Sequence, residues 1–180
     1  MEIKPGDLAV TRNPKLLGKI VSWFQTKEDD GGRPTWANHA MCAGWDGNDV
    51  RFASMEPIWS KWRNADEFDL IRVYRPHELT WPDGTSLELT DNYRNALGVA
   101  AAEFVPRFYG FSKIALHAIG LQRFCFLDAF PICSYAAVQP YSKVLGFNYW
   151  QVNGEWKSAR SLDPDDLCDA LEQMGAERIV

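Results

Sequence analysis

"NHAMCAGWDGNDVRFASMEP", residues 38–57, places two runs of apolar and small residues on either side of Asp46-Gly47-Asn48-Asp49. Turn chemistry of that kind between two such runs predicts a β-hairpin, with strands near 38–45 and 50–56. With the turn centred on Gly47-Asn48, Met41 lies opposite Ser54 and His39 opposite Glu56. Cross-strand neighbours on one face are within reach of each other. Glu56 is therefore positioned to accept the second ring proton of His39 and orient the imidazole. A slip of one residue would send every side chain to the other face and undo that pairing.

Outward from the hairpin, the first half reads as β-rich. "KPGDLAVTR" (4–12) is a turn followed by a short strand, and "EFDLIRVYRP" (67–76) is a strand near 68–75 stopped by Pro76. "NPKLLGKIVSWFQ" (13–25) has helical spacing after an Asn13 cap with Pro14 at the first position, and "TKEDDGGRPT" (26–35) is a polar loop.

The second half reads as helical. A helix starts at a Thr90 or Asp91 cap and runs to Val105, where Ala100 to Ala102 allow close packing. "FSKIALHAIGLQRF" (111–124) fits a helix. "PICSYAAVQPYSKVLGF" (131–147) fits another, with Pro131 in its first turn and a kink at Pro140. "LDPDDLCDALEQMGAE" (162–177) carries a complete set of signals: Asp163 as cap, Pro164 first, two aspartates in the first turn and Gly175 to close. The sum is an α+β chain of one domain, residues 1–180.

Hydrophobic residues make up 46% and charged residues 24%, which fits a globular core. The net charge is -5 with no basic block, which argues against a nucleic-acid partner. The N-terminus lacks the basic and apolar regions of a signal peptide. The most apolar stretch, Phe111 to Phe130, is interrupted by Lys113, His117, Gln122, Arg123 and Asp128, so no integral membrane segment is read. These features point to a cytoplasmic protein, or to a phage-encoded one that reaches its target by other means. Oligomeric state is not legible.

The four cysteines, Cys42, Cys125, Cys133 and Cys168, form no CxxC pair. Reduced thiols are then the default. Cys133 falls near the start of its helix, where free N–H groups and the helix dipole favour a thiolate and can bind an oxyanion. The competing reading is a buried structural thiol, the commonest fate of a cysteine. A thiol nucleophile needs a base, usually histidine, steadied by a third polar group. Of the three histidines, His77 reads as a loop residue after a strand and His117 as a core residue, which leaves His39. No cofactor is called for. A metal site from His39, Cys42 and Cys133 is disfavoured, because His39 and Cys42 point to opposite faces of a strand.

Taken in order, "KPGDLAV", "ANHAMCAGW", "FPICSYAAVQPYSKVLGF" and "SLDPDDLCDAL" resemble the opening strand, the histidine strand, the Cys-Ser helix and the trailing helix of circularly permuted NlpC-type papain-like hydrolases, which include the lecithin:retinol acyltransferase-like proteins. The chain runs His39 before Cys133, as the permuted group does and papain does not. The resemblance implies a papain-like fold with an antiparallel sheet packed against helices. It implies Cys133 as nucleophile, His39 as base and a thioester intermediate. For the third member, Glu56 is the nearest glutamate but is not followed by alanine, and Ser54 falls closer to the usual offset. Ser54 and Tyr109 are the candidates for the oxyanion or substrate site. The implied activity is a cysteine peptidase or amidase, acting on an amide or isopeptide bond, with peptidoglycan peptides and lipid esters within the group's range. Trp36, Trp45 and Trp59 lie near His39 in sequence and are read as core, with a cleft wall as the other option. The alternative to catalysis is a papain-fold module that only binds a peptide, or a protein of a virus particle or other assembly.

Overall fold

The computed structural model describes residues 2–12, 36–56, 60–106 and 133–180. The expected helix at 13–25, the segment 111–124, Tyr109, His117, Cys125, Pro131 and Trp59 lie outside the described residues.

Strands β1 (Leu8–Thr11), β2 (His39–Asp46), β3 (Asp49–Met55), β4 (Ser60–Arg63), β5 (Ile71–Arg75) and β10 (Glu177–Arg178) form one six-stranded sheet in the order β10-β5-β1-β2-β3-β4. Every pairing in it is antiparallel. Helices α1 (Asp91–Ala102), α2 (described from Cys133 to Leu145) and α3 (Pro164–Gln173) accompany it, so the α+β expectation holds. Two small hairpins complete the fold: β6 (Glu78–Thr80) with β7 (Ser86–Glu88), and β8 (Tyr149–Val152) with β9 (Glu155–Ser158). Among the described residues no helix is long and apolar enough to cross a membrane.

The β2–β3 hairpin has the expected register, with Met41 opposite Ser54, Cys42 opposite Ala53 and Asp46 opposite Asp49 around the Gly47-Asn48 turn. Period-2 alternation gives this sheet two unlike faces. One face carries Leu8, Val10, Ala40, Cys42 and Tyr74, and these join a large core with Leu97 and Ala101 of α1, Val138 and Tyr141 of α2, and Leu167 and Leu171 of α3. Small residues let α1 come close. A Cβ on Gly44 would sit 2.8 Å from both the Ala101 Cβ and the Gly98 carbonyl oxygen. The other face carries Ala9, Met41, Ala43, Phe52 and Val73, covered by Ile3, Phe68, Ile71 and Ile179.

A buried polar knot ties the start of β1 to its neighbours. The fully buried Asp7 carboxylate accepts from the Lys4 backbone N–H at 2.8 Å and from Arg75 at 2.9 and 2.7 Å, with Arg94 of α1 at 3.5 Å. Gly6, at φ +79°, donates its N–H to the Ala43 carbonyl and accepts the Tyr141 hydroxyl at its own. A residue with a side chain is strained at that φ.

Helix α3 follows its sequence signals closely. The Asp163 side chain accepts from the N–H groups of Asp165 and Asp166, Pro164 leads, and Gly175 at φ +70° follows the Met174 cap. Helix α1 ends at Ala102, short of Val105, ahead of the Val105-Pro106 pair. Helix α2 continues across Pro140 to Leu145. Strands β4, β6, β7, β8, β9 and β10 were not expected. They have four residues or fewer, too short for alternation to stand out. The Asn153-Gly154 turn of β8–β9, with both φ positive at 51° and 84°, did carry the two-residue hairpin signal in the sequence.

Candidate functional site

His39 is the first residue of β2, and the chain leading into it is fixed from far away. The Asp165 carboxylate, in the first turn of α3, accepts the backbone N–H groups of Trp36 at 2.8 Å and Ala37 at 2.9 Å. The Asn38 N–H donates to the Thr11 carbonyl at 3.0 Å, and His39 then pairs with Thr11 of β1. These bonds set the strand's phase and send the imidazole to the face of Met41 and Ala43.

On that face His39 Nε2 and Ser54 Oγ share a hydrogen bond of 2.9 Å, with Ser54 fully buried. Burial pushes the imidazole down to about 4, against the pull of Glu56 and with a further push from Arg63. His39 is therefore neutral at neutral pH. The neutral ring has one donor and one acceptor nitrogen. In the tautomer whose Nε2–H donates to Ser54, Nδ1 is the free acceptor; in the other, Nε2 accepts the Ser54 hydroxyl.

Glu56 does not bond the ring. Its carboxylate takes Arg63 at 2.7 Å and Lys61 at 3.4 Å. Burial raises its pKa, and the two cations outweigh that and hold it below the usual carboxylate value. Of the two candidates for the third position, Ser54 rather than Glu56 is the ring's hydrogen-bonded partner among the described residues. Lys61 and Arg63 lie on β4 opposite Ser54 and Phe52, on the His39 face. Arg63 also binds Glu67 at 2.6 Å, in the 3-10 turn Ala65–Glu67. Sequence reading missed this chain of charges. Its one local signal was the alternation Ser60-Lys61-Trp62-Arg63.

Cys133, the first described residue of α2, is buried in a cluster with Met55, Phe104 and Ala136. Met55 alternates with Ser54 and so faces the helices. Cys133 and His39 thus reach the same end of the β2–β3 hairpin from opposite faces of the sheet. Ser134 beside it is fully buried and donates to the Leu162 carbonyl at 2.6 Å, which pins the start of α2.

The two other described thiols are structural in character. Cys42 lies on the helix face, where burial and then the nearby Asp7 charge push its pKa far up, and its S–H points to the Ala43 carbonyl at 3.6 Å. Cys168 sits by Tyr74 and Arg72, each at 3.5 Å, and burial raises it too. His77 is exposed and pairs with Glu177 at 3.0 Å. Trp36 lies under the Arg72 guanidinium at 3.8 Å, and the Trp45 ring fills the space where a Gly98 Cβ would be, so both pack. Among the described residues no group of three or more His, Cys, Asp or Glu could hold a metal ion.

No protein-family model and no curated protein matches the chain. Among solved structures, its fold is similar to that of the metalloprotein yiiX from Escherichia coli O157:H7 (DUF1105), with a TM-score of 0.54 at 15% sequence identity. The match covers 100% of this chain and 89% of that one. At that identity the likeness concerns fold alone.

Proposed function

We propose that the chain is a papain-like thiol hydrolase of the permuted NlpC type, with Cys133 as nucleophile and His39 as base, acting on an amide or isopeptide bond. One observation carries the reading. His39 is a neutral imidazole, hydrogen-bonded through Nε2 to Ser54, at the hairpin end that the buried Cys133 also reaches. The reaction requires the two side chains to meet around the open end of the hairpin, where the imidazole takes the thiol proton and Sγ attacks the carbonyl carbon. The tetrahedral intermediate collapses to a thioester as the imidazolium protonates the leaving amine. His39 then takes a proton from water, the hydroxide adds to the thioester, and the thiolate leaves and is reprotonated. Peptidoglycan peptides are the substrate class to try first.

A second reading is favoured by the placement of Cys133 and His39 on opposite faces of the sheet. In it the fold binds a peptide or an assembly partner, and Cys133 is a packing residue. Alkylation separates the two. Iodoacetamide modification of Cys133 is followed by peptide mass spectrometry at pH 6, in the native protein and in His39→Ala. Catalysis requires fast labelling that falls at least about tenfold in His39→Ala. Labelling of Cys133 only after unfolding ends the hydrolase reading and leaves the binding one.

A further inference from the structure

The face that carries His39 holds two possible partners for its ring. Continued past Met41–Ser54, the hairpin register sets Glu56 opposite His39, where a carboxylate and an imidazole can meet. The ring is nevertheless bonded to Ser54, at 2.9 Å. What separates the two outcomes is β4. Arg63 Nε binds Glu56 at 2.7 Å while its NH1 binds Glu67 at 2.6 Å. Glu67 is itself fixed, because its other oxygen accepts the Asn64 backbone N–H at 2.7 Å. The guanidinium is thus anchored in two directions, a geometry that suits its planar fork. Lys61 adds a looser contact to Glu56 at 3.4 Å. From β1, the residue paired with His39 is the uncharged Thr11. Among the described residues, the charged groups around the ring are therefore Glu56, Lys61, Arg63 and, behind Arg63, Glu67.

We propose that Arg63 is a positioning residue for His39: by binding Glu56 along the sheet face it denies that carboxylate to the imidazole, leaves the ring to Ser54, and so fixes which nitrogen is free to accept a proton. The role of that free nitrogen rests on the thiol-hydrolase reading. The arrangement of partners does not.

A freed Glu56 would turn to the ring and favour its doubly protonated form, since a carboxylate beside an imidazole stabilises the cation. The base would then be occupied before substrate arrives. Arg63 prevents this without touching the ring.

The test is nitrogen-15 NMR of the imidazole from pH 4.5 to 7.5, with the His39 signals assigned by their loss in His39→Gln. In the native protein His39 is neutral at pH 5.5, with the proton on Nε2. In Arg63→Gln the imidazolium dominates at that pH, which requires the proton affinity to rise more than about thirtyfold. The double variant Arg63→Gln with Glu56→Gln returns the ring to the neutral, Nε2–H form. Arg63→Lys, which keeps one donor for Glu56, falls between. An unchanged ring in Arg63→Gln overturns the proposal, and so does a rise that persists in the double variant. If Arg63→Gln does not fold, Glu56→Gln alone decides. The proposal requires the Nε2–H tautomer to survive in it, and loss of that tautomer means that Glu56 orients the ring itself. None of these readings uses enzyme activity. An inert Cys133 together with the expected spectra would remove the hydrolase reading and leave the role of Arg63 standing.

Discussion

The two faces of the sheet solve different problems with one set of strands. On the helix face, Ala40, Cys42 and Gly44 are cut down in size so that α1 and α2 can lie against β2, and the buried Asp7 carboxylate there is held by Arg75 and Arg94. On the other face, Met41, Ala43 and Phe52 form a thin apolar patch, and beyond it comes a polar strip of His39, Ser54, Glu56, Lys61 and Arg63. The helix face is organised for density. The opposite face keeps one titratable, partly buried ring in a set environment. A side chain's chemistry here depends on the parity of its position as much as on its type: Cys42, three residues from His39, is an inert thiol because it points the other way.

That contrast can be broken most forcefully at Asp7. Asp7→Ala leaves Arg75 and the buried Arg94 facing a cavity without their anion, and removing one partner of a buried pair costs about 3–5 kcal/mol. A urea midpoint measurement at pH 7 should show the loss, with α1 and β1 failing together.

The second test uses acid and belongs to the other face. His39 titrates near 6.5 when unfolded and near 4 when folded. Between those values the unfolded chain binds the extra proton and the folded one does not, so stability is full above pH 6.5 and drains away as pH falls towards 4. The limit is roughly 3 kcal/mol. His39→Gln should lack this component. Its deficit relative to the native protein should shrink as urea midpoints are taken at pH 7, 5.5 and 4.5.

Gly44→Ala sharpens the packing side. Its Cβ has no room between Ala101 and Gly98, and overpacking of this kind costs about 1–3 kcal/mol. A change to alanine on the opposite face, Ser54→Ala, should cost less in packing and register instead in the tautomer of His39. The smallest effect belongs to Lys61→Ala. Its contact with Glu56 is long and half exposed, and the midpoint should move by no more than a few tenths of a kcal/mol.

Much of this architecture was legible from particular residues. Gly47-Asn48 fixed the hairpin register, and with it the neighbourhood of His39 and Ser54. Asp163, Pro164 and Gly175 bounded α3. Turn and cap chemistry is local, so it can be read without knowing the fold. The capture of Glu56 by Arg63 was not legible, because it depends on β4, a four-residue strand with no turn signal of its own. Which face the helices would take was also missed. The alternation of Ala40, Cys42 and Gly44 with Met41, Ala43 and Trp45 bears on it, since close helix packing needs the smaller set. The Asp7 knot escaped for a different reason: its partners lie 68 residues away at Arg75 and further still at Arg94.

The bonds from Asp165 to the backbone of Trp36 and Ala37 span 129 and 128 residues. A nascent chain that has displayed the whole β2–β3 hairpin still lacks the carboxylate that locks the entry to His39. That lock closes only after Asp165 has left the ribosome and α3 has formed. The hairpin can fold early on local contacts, whereas the phase of its first residue is among the last things decided. Until then the entry to His39 rests on its pairing with Thr11 of β1, and the far carboxylate supplies its final tether.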